Sequence, residues 1–102
     1  MNKVILMGRL TKDPEYKEGK KTSYARYTLA VDRLYNREEA DFISCLVFGK
    51  GADFANEYLH KGTKVVVEGS IRTGSYKDKD GNTVYTTEVI IDNQEFAESK
   101  SK

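Results

Sequence analysis

The sequence predicts an all-β fold: a five-stranded closed barrel with one short α-helix between the third and fourth strands. Three observations predict it. Short segments alternate between apolar and polar residues with the period of a strand. The period changes to that of a helix only once, over residues 51–61. The fourth and fifth strands then flank a strong hairpin signal, Asp78-Lys79-Asp80-Gly81-Asn82.

Residues 2–10 form a dense apolar stretch with β-branched members, which is strand one. Thr11-Lys12-Asp13-Pro14-Glu15 breaks it, because Pro14 lacks an amide donor and biases Asp13 away from helix. Lys17-Glu18-Gly19-Lys20-Lys21 reads as a charged turn. In residues 24–31, Ala25, Tyr27, Leu29 and Val31 share one face and Tyr24, Arg26, Thr28 and Ala30 the other, which is strand two. Residues 32–40 are polar, a loop carrying Tyr35.

Residues 42–48 form strand three. Ile43, Cys45 and Val47 suit a core. Phe42, Ser44, Leu46 and Phe48 make a second face that is also largely apolar and calls for a partner of its own. In residues 51–61 the pairs Phe54/Tyr58 and Ala55/Leu59 lie four apart, on one helical stripe. Asp53 falls in the first turn, His60 and Lys61 in the last, and Gly62 fits the residue just past the end. Residues 64–71 and 84–91 are strands four and five. Gly8 and Gly69 interrupt strands where a small barrel needs bends or bulges. This order of elements is that of the OB-fold barrel. Residues 1–96 are expected to form one domain and residues 97–102 a frayed tail.

Composition narrows the function. Cys45 is the only cysteine, so neither an internal disulfide nor a thiolate metal site is available. His60 is the only histidine and is assigned to the helix end. Phe48-Gly49-Lys50-Gly51 lacks the spacing of a phosphate-binding loop, and Tyr76 and Thr87 would stand at ligand positions of a calcium loop. No enzyme activity and no cofactor are expected. The longest apolar run near the start, Val4-Ile5-Leu6-Met7, is far too short for a signal or a membrane span. The expected location is cytoplasmic. The net charge is only +1, but it is uneven: residues 1–37 carry nine Lys/Arg against four Asp/Glu, and residues 38–102 eight against twelve.

Several segments, in order and at matching spacing, resemble the bacterial single-stranded DNA-binding proteins. They are Asn2-Lys3-Val4-Ile5-Leu6-Met7-Gly8-Arg9-Leu10 with Asp13-Pro14-Glu15, then Phe48-Gly49-Lys50, then Glu57-Tyr58-Leu59-His60-Lys61-Gly62. Val67-Glu68-Gly69-Ser70-Ile71-Arg72-Thr73, Asp80-Gly81 and Tyr85-Thr86-Thr87-Glu88-Val89 complete the set. The resemblance implies an OB-fold, a homotetramer and sequence-tolerant binding of single-stranded DNA in replication, repair and recombination, on the nucleoid. It implies that bases stack on Tyr35, Phe42, Phe48 and Tyr76, and that Lys3, Lys50, Lys61 and Arg72 meet the DNA backbone. Three of the four stacking positions are commonly Trp in the family and are Tyr, Phe and Tyr here. Gly74 and Ser75 stand where members often carry more positive charge.

Family members usually continue into an acidic tip that recruits replication and repair proteins. The resemblance is to the DNA-binding domain without that tail, so such partners are expected only where acid follows Lys102. Tyr24, Tyr27, Tyr58 and Tyr85 are read as mainly structural, and Arg9 and Arg26 as solvated surface before backbone contacts. The alternative is a tail-less OB-fold primosomal adaptor that works through protein contacts. Stacking contributes about 1–3 kcal/mol per base, so the rings are expected to hold affinity and the cations to tune it.

Overall fold

The computed structural model describes residues 1–36 and 38–98. Strand β1 spans Val4–Leu10, β2 Glu15–Glu18, β3 Ser23–Asp32 and β4 Ala40–Phe48. Helix α1 spans Lys50–Tyr58 and is followed by β5, Lys64–Lys77, and β6, Thr83–Phe96. Five strands pair in a ring, β1-β5-β6-β4-β3, which returns to β1 through Arg9 opposite Ala30 and Leu10 opposite Leu29. Strands β4 and β6 pair in parallel at Cys45–Val89 and Leu46–Ile90, and the other pairings are antiparallel. This is the five-stranded OB-fold barrel, with the helix between its third and fourth ring strands.

Alternation produces the core. Ala25, Tyr27 and Leu29 of β3, Cys45 and Val47 of β4, Val65 and Val67 of β5, and Val89 and Ile91 of β6 point inward and are buried. Helix α1 packs mainly on β3 and buries Ala52 and Ala55 in the same cluster. Tyr27 brings a hydroxyl inside. It donates to Gln94 Oε1 at 2.7 Å, and Gln94 Nε2 donates to the Gly51 carbonyl at 2.7 Å, so β3, β6 and α1 are joined by satisfied polar groups.

Gly8 and Gly69 sit where the wall folds closest on itself. A Cβ on Gly8 would lie 2.5 Å from the Ala30 carbonyl oxygen, and one on Gly69 would run into that of Ile90. Gly69 also marks the register shift in the β5–β6 pair, the bulge that bends the hairpin around the ring.

Three sequence expectations change. The segment read as a break and a charged turn contains a sixth strand, β2, outside the ring. It pairs with β3 from Glu15–Arg26 to Glu18–Ser23, and the turn follows at Gly19, whose N–H donates to the Thr22 carbonyl at 2.9 Å. The helix ends at Tyr58 and not at Lys61, because Leu59 turns extended and buries its side chain completely. His60 and Lys61 therefore lie in a turn closed by Thr63 N–H on the His60 carbonyl at 3.0 Å, with Gly62 inside it, and neither basic residue stands in the last helical turn. The β5–β6 hairpin is longer than residues 64–71 and 84–91: pairing runs on to Lys77–Thr83. At the end of β6, Ala97 N–H donates to the Lys64 carbonyl at 2.9 Å and Glu98 pairs with Arg9. Residues 99–102 of the expected frayed tail lie outside the described residues.

Candidate nucleic-acid interface

Residues directly opposite each other in a ladder share a face. Applied to the registers, this gives one continuous outer surface across four ring strands. From β4 it takes Phe42, Ser44, Leu46 and Phe48, of which Leu46 is buried; from β3, opposite them, Ala30, Thr28, Arg26 and Tyr24. Ile90 lies beside Leu46, so Ile90, Glu88, Thr86 and Val84 of β6 follow. Ser70, Arg72, Gly74 and Tyr76 of β5 complete the surface.

Three of the four expected stacking rings share that surface, and all four are open to solvent. Phe42 is 68% exposed, Phe48 43% and Tyr76 57%. At the usual strand rise, Phe42 and Phe48 stand roughly 20 Å apart along β4. Tyr35 is 95% exposed, but in the loop between β3 and β4, not on the sheet surface. Among the described residues, only Phe48 of the four has a ring partner: Tyr24 packs against it at 6.5 Å, tilted by 51°. Tyr24 was read as mainly structural, yet it buttresses a member of the open surface.

The expected backbone cations are dispersed. Lys50 opens helix α1 and lines, with Phe48, a cavity of about 270 Å³. Arg72 stands on the outer surface of β5 beside Glu88. Lys61 projects from the turn after α1, where its own N–H donates to Asp13 Oδ1 at 2.8 Å. Among the described residues, neither Lys50 nor Lys61 has a carboxylate partner. Lys3 is engaged. Its ammonium pairs with Glu68 near the β1–β5 side of the ring, away from β4. The Glu68 hydrogen bond, reinforced by its charge, raises the Lys3 pKa above the ordinary value.

Sequence reasoning did not foresee the contact between Arg26 and Glu88 on this surface. Arg26, set down as solvated surface, donates from Nε to Glu88 Oε2 at 3.4 Å, and Glu88 also stands 4.0 Å from Arg72. The alternation of residues 24–31 already put Arg26 on the face of Tyr24; only its partner, distant in sequence, was invisible. Tyr85, read as structural, is 80% exposed on the opposite face of the hairpin from Tyr76, since it pairs with Ser75.

A closed OB barrel with an open aromatic surface on one wall has the form of a binding module. The chain belongs to the single-strand binding protein family, whose model matches residues 1–97. A single-stranded DNA-binding protein of Clostridium perfringens is 50% identical over 101 residues, covering 97% of this chain and 67% of its own length. Single-stranded DNA-binding protein 1 of Staphylococcus aureus strain COL is 43% identical over 106 residues, 99% of this chain and 64% of its own length. Single-stranded DNA-binding protein 3 of Clostridium acetobutylicum is 48% identical over 103 residues, 96% of this chain and 72% of its own. The chain thus spans about two thirds of the length of these relatives.

Proposed function

We propose that this chain binds single-stranded DNA with little regard to sequence and catalyses nothing. Unpaired DNA offers flat bases and a charged backbone. Open rings meet the first and cations the second. The observation that carries the reading is the exposure of Phe42, Phe48 and Tyr76 on one outer surface of an OB barrel. Large apolar rings left in water on a well-packed barrel are expected where a ligand covers them. Tyr35 extends the stacking set from its loop.

Each stacked base contributes about 1–3 kcal/mol, and each neutralised phosphate adds about −0.7 to the logarithmic salt slope. With a net charge of +1, stacking carries most of the affinity. Lys50, Lys61 and Arg72 supply backbone contacts; Lys3 contributes only on leaving Glu68.

The protein acts as a homo-oligomer, a tetramer in this reading. Ile5 and Met7, apolar and exposed on the outer side of β1, support a self-association surface. Its work is protection of exposed strands in replication, repair and recombination, by mass action on the unpaired state. That work places it on the nucleoid, in the cytoplasm, and requires no cofactor. Replication and repair proteins are recruited only where an acidic segment follows Lys102.

Titration of tyrosine fluorescence with oligo-dT tests the reading. Binding at low salt should quench the tyrosines, and sedimentation should give four protomers. A full-strength signal throughout the titration would remove the stacking mechanism, and a dimer without DNA affinity would favour the adaptor role.

A further inference from the structure

The β4–β6 pairing extends only over Cys45–Val89 and Leu46–Ile90. Because these strands run parallel, Phe42 in one and Val84 in the other lie on the same side of that junction, and Val84 is opposite Tyr76. On that side the two strands part. The opening is a cavity of about 410 Å³ lined by Arg26, Ser44, Thr86, Thr87 and Glu88. At its edge Glu88 stands between two guanidinium groups, with Arg26 Nε at 3.4 Å and Arg72 Nη2 at 4.0 Å. The Glu88 side chain is only 20% exposed, while both arginines remain about half exposed.

The arrangement has too much positive charge for one carboxylate and too few good contacts to satisfy it. Neither distance is that of a short bidentate arginine–carboxylate pair. Ser44 and Thr86, on the same face as the two arginines, also line the opening, and hydroxyls together with guanidinium groups are what phosphate oxygens accept from. The cleft also lies between the Phe42 and Tyr76 rings, where a strand stacked on both would have to pass.

Resting on the reading above, we propose that Arg26 and Arg72 form a phosphate cradle for the DNA backbone and that Glu88 is its built-in counterion, which the bound strand displaces. Arg26 thereby joins the DNA contacts. Glu88 weakens binding and lowers its salt dependence, because the carboxylate set free by the strand takes up a cation and offsets part of the cation release from the DNA. It also keeps two adjacent cations tolerable in the free protein.

The test is oligo-dT titration of the whole chain at several NaCl concentrations, with variants Glu88→Gln, Arg26→Ala/Glu88→Gln and Glu95→Gln. Glu95 is exposed and lines the cavity near Ile5 and Val66, so its variant controls for loss of one negative charge. Glu88→Gln should bind tighter at low salt and steepen the slope by up to about 0.7 in all, the share of the one negative charge removed. Between about 50 and 200 mM salt, the variant then loses up to about 2.6-fold more affinity than wild type. Adding Arg26→Ala should reverse that step, and Glu95→Gln should leave the slope unchanged.

A wild-type slope in Glu88→Gln, or an equal change in Glu95→Gln, overturns the proposal. If Glu88→Gln does not fold by circular dichroism, Arg26→Ala carries the test alone, and a wild-type slope in it overturns the cradle. Wild-type protein that never binds oligo-dT removes the DNA reading itself. Wild-type protein that binds through its aromatic residues while Glu88→Gln behaves identically overturns this proposal and leaves the DNA reading standing.

Discussion

The Tyr24 ring packs on that of Phe48 at 6.5 Å and 51°, across the β3–β4 ladder. The contact is tilted, so Phe48 is held by an edge and keeps 43% of its surface in solvent. A ring fixed in this way loses little freedom when a base settles on it. Phe48→Ala should therefore weaken oligo-dT binding by about 1–3 kcal/mol, roughly 5- to 140-fold in Kd. Tyr24→Ala should cost less, about 0.5–1.5 kcal/mol, because it removes only the buttress. Fluorescence titration measures both, and wild-type affinity in Phe48→Ala would take that ring out of the site.

Inside the barrel, Tyr27→Phe isolates one hydrogen bond. The phenol is buried and donates to Gln94 Oε1 at 2.7 Å. Without it the amide oxygen has lost its donor in a part-buried position. Stability should fall by about 1–3 kcal/mol, read as a lower urea midpoint, with oligo-dT affinity unchanged once folding is complete. An unmoved midpoint would mean that the Tyr27–Gln94–Gly51 chain contributes nothing net.

The ring strands were legible because each has a buried side, and burial writes period two into the sequence. Where that side is missing, legibility stops. Residues Glu15–Glu18 of β2 carry one ring and three charges, and only pairing with β3 makes them a strand. Thr73–Lys77 and Thr83–Thr87 project past the core with little to bury, so alternation ended before the ladder did. The helix failed in the other direction. Leu59 is spaced four from Ala55 and is fully buried, so it prolonged the helical stripe although its backbone is extended. At the site, alternation put Phe42 and Phe48 on one face but left it equally suited to packing; the family resemblance gave them an open surface. The Arg26–Glu88 contact, 62 residues apart in the chain, left no local trace.

Acid should loosen the junction of β2 with α1. Asp53 accepts from the Tyr16 hydroxyl at 2.7 Å and from Ser23 Oγ at 2.9 Å. The Tyr16 hydrogen bond, then that of Ser23, holds the Asp53 carboxyl below its ordinary value of 3.8. A carboxyl lowered in the folded state stabilises the protein above its unfolded pKa, and that contribution disappears as pH falls through the folded one. Tyr16 has the opposite sign: its bond to Asp53 raises the phenol above 10.0, so its contribution is present below that pH and lost above the raised value. The urea midpoint should drop as pH falls below about 4, and Asp53→Asn should flatten that limb. An identical acid limb in the variant would show that other carboxyls, such as Glu68 beside Lys3, control it.

Cys45 gives a readout of opening that needs no new label site. Burial, and then the negative charge of Glu88, pushes its thiol up to about 12. At about pH 8 only about one folded molecule in ten thousand would carry a thiolate. A disulfide reagent should therefore leave the native protein unlabelled and react with one thiol per chain in denaturant. In water, labelling should follow the rare opening of the β3–β4–β6 wall that encloses Cys45. A ligand that binds only the closed state lowers the open population by its binding polynomial, so oligo-dT at about 100 Kd should slow labelling about a hundredfold. Rapid labelling of native protein would place the thiol within reach of solvent. Labelling unchanged by saturating oligo-dT would show that Cys45 is exposed by an opening that leaves the DNA surface intact.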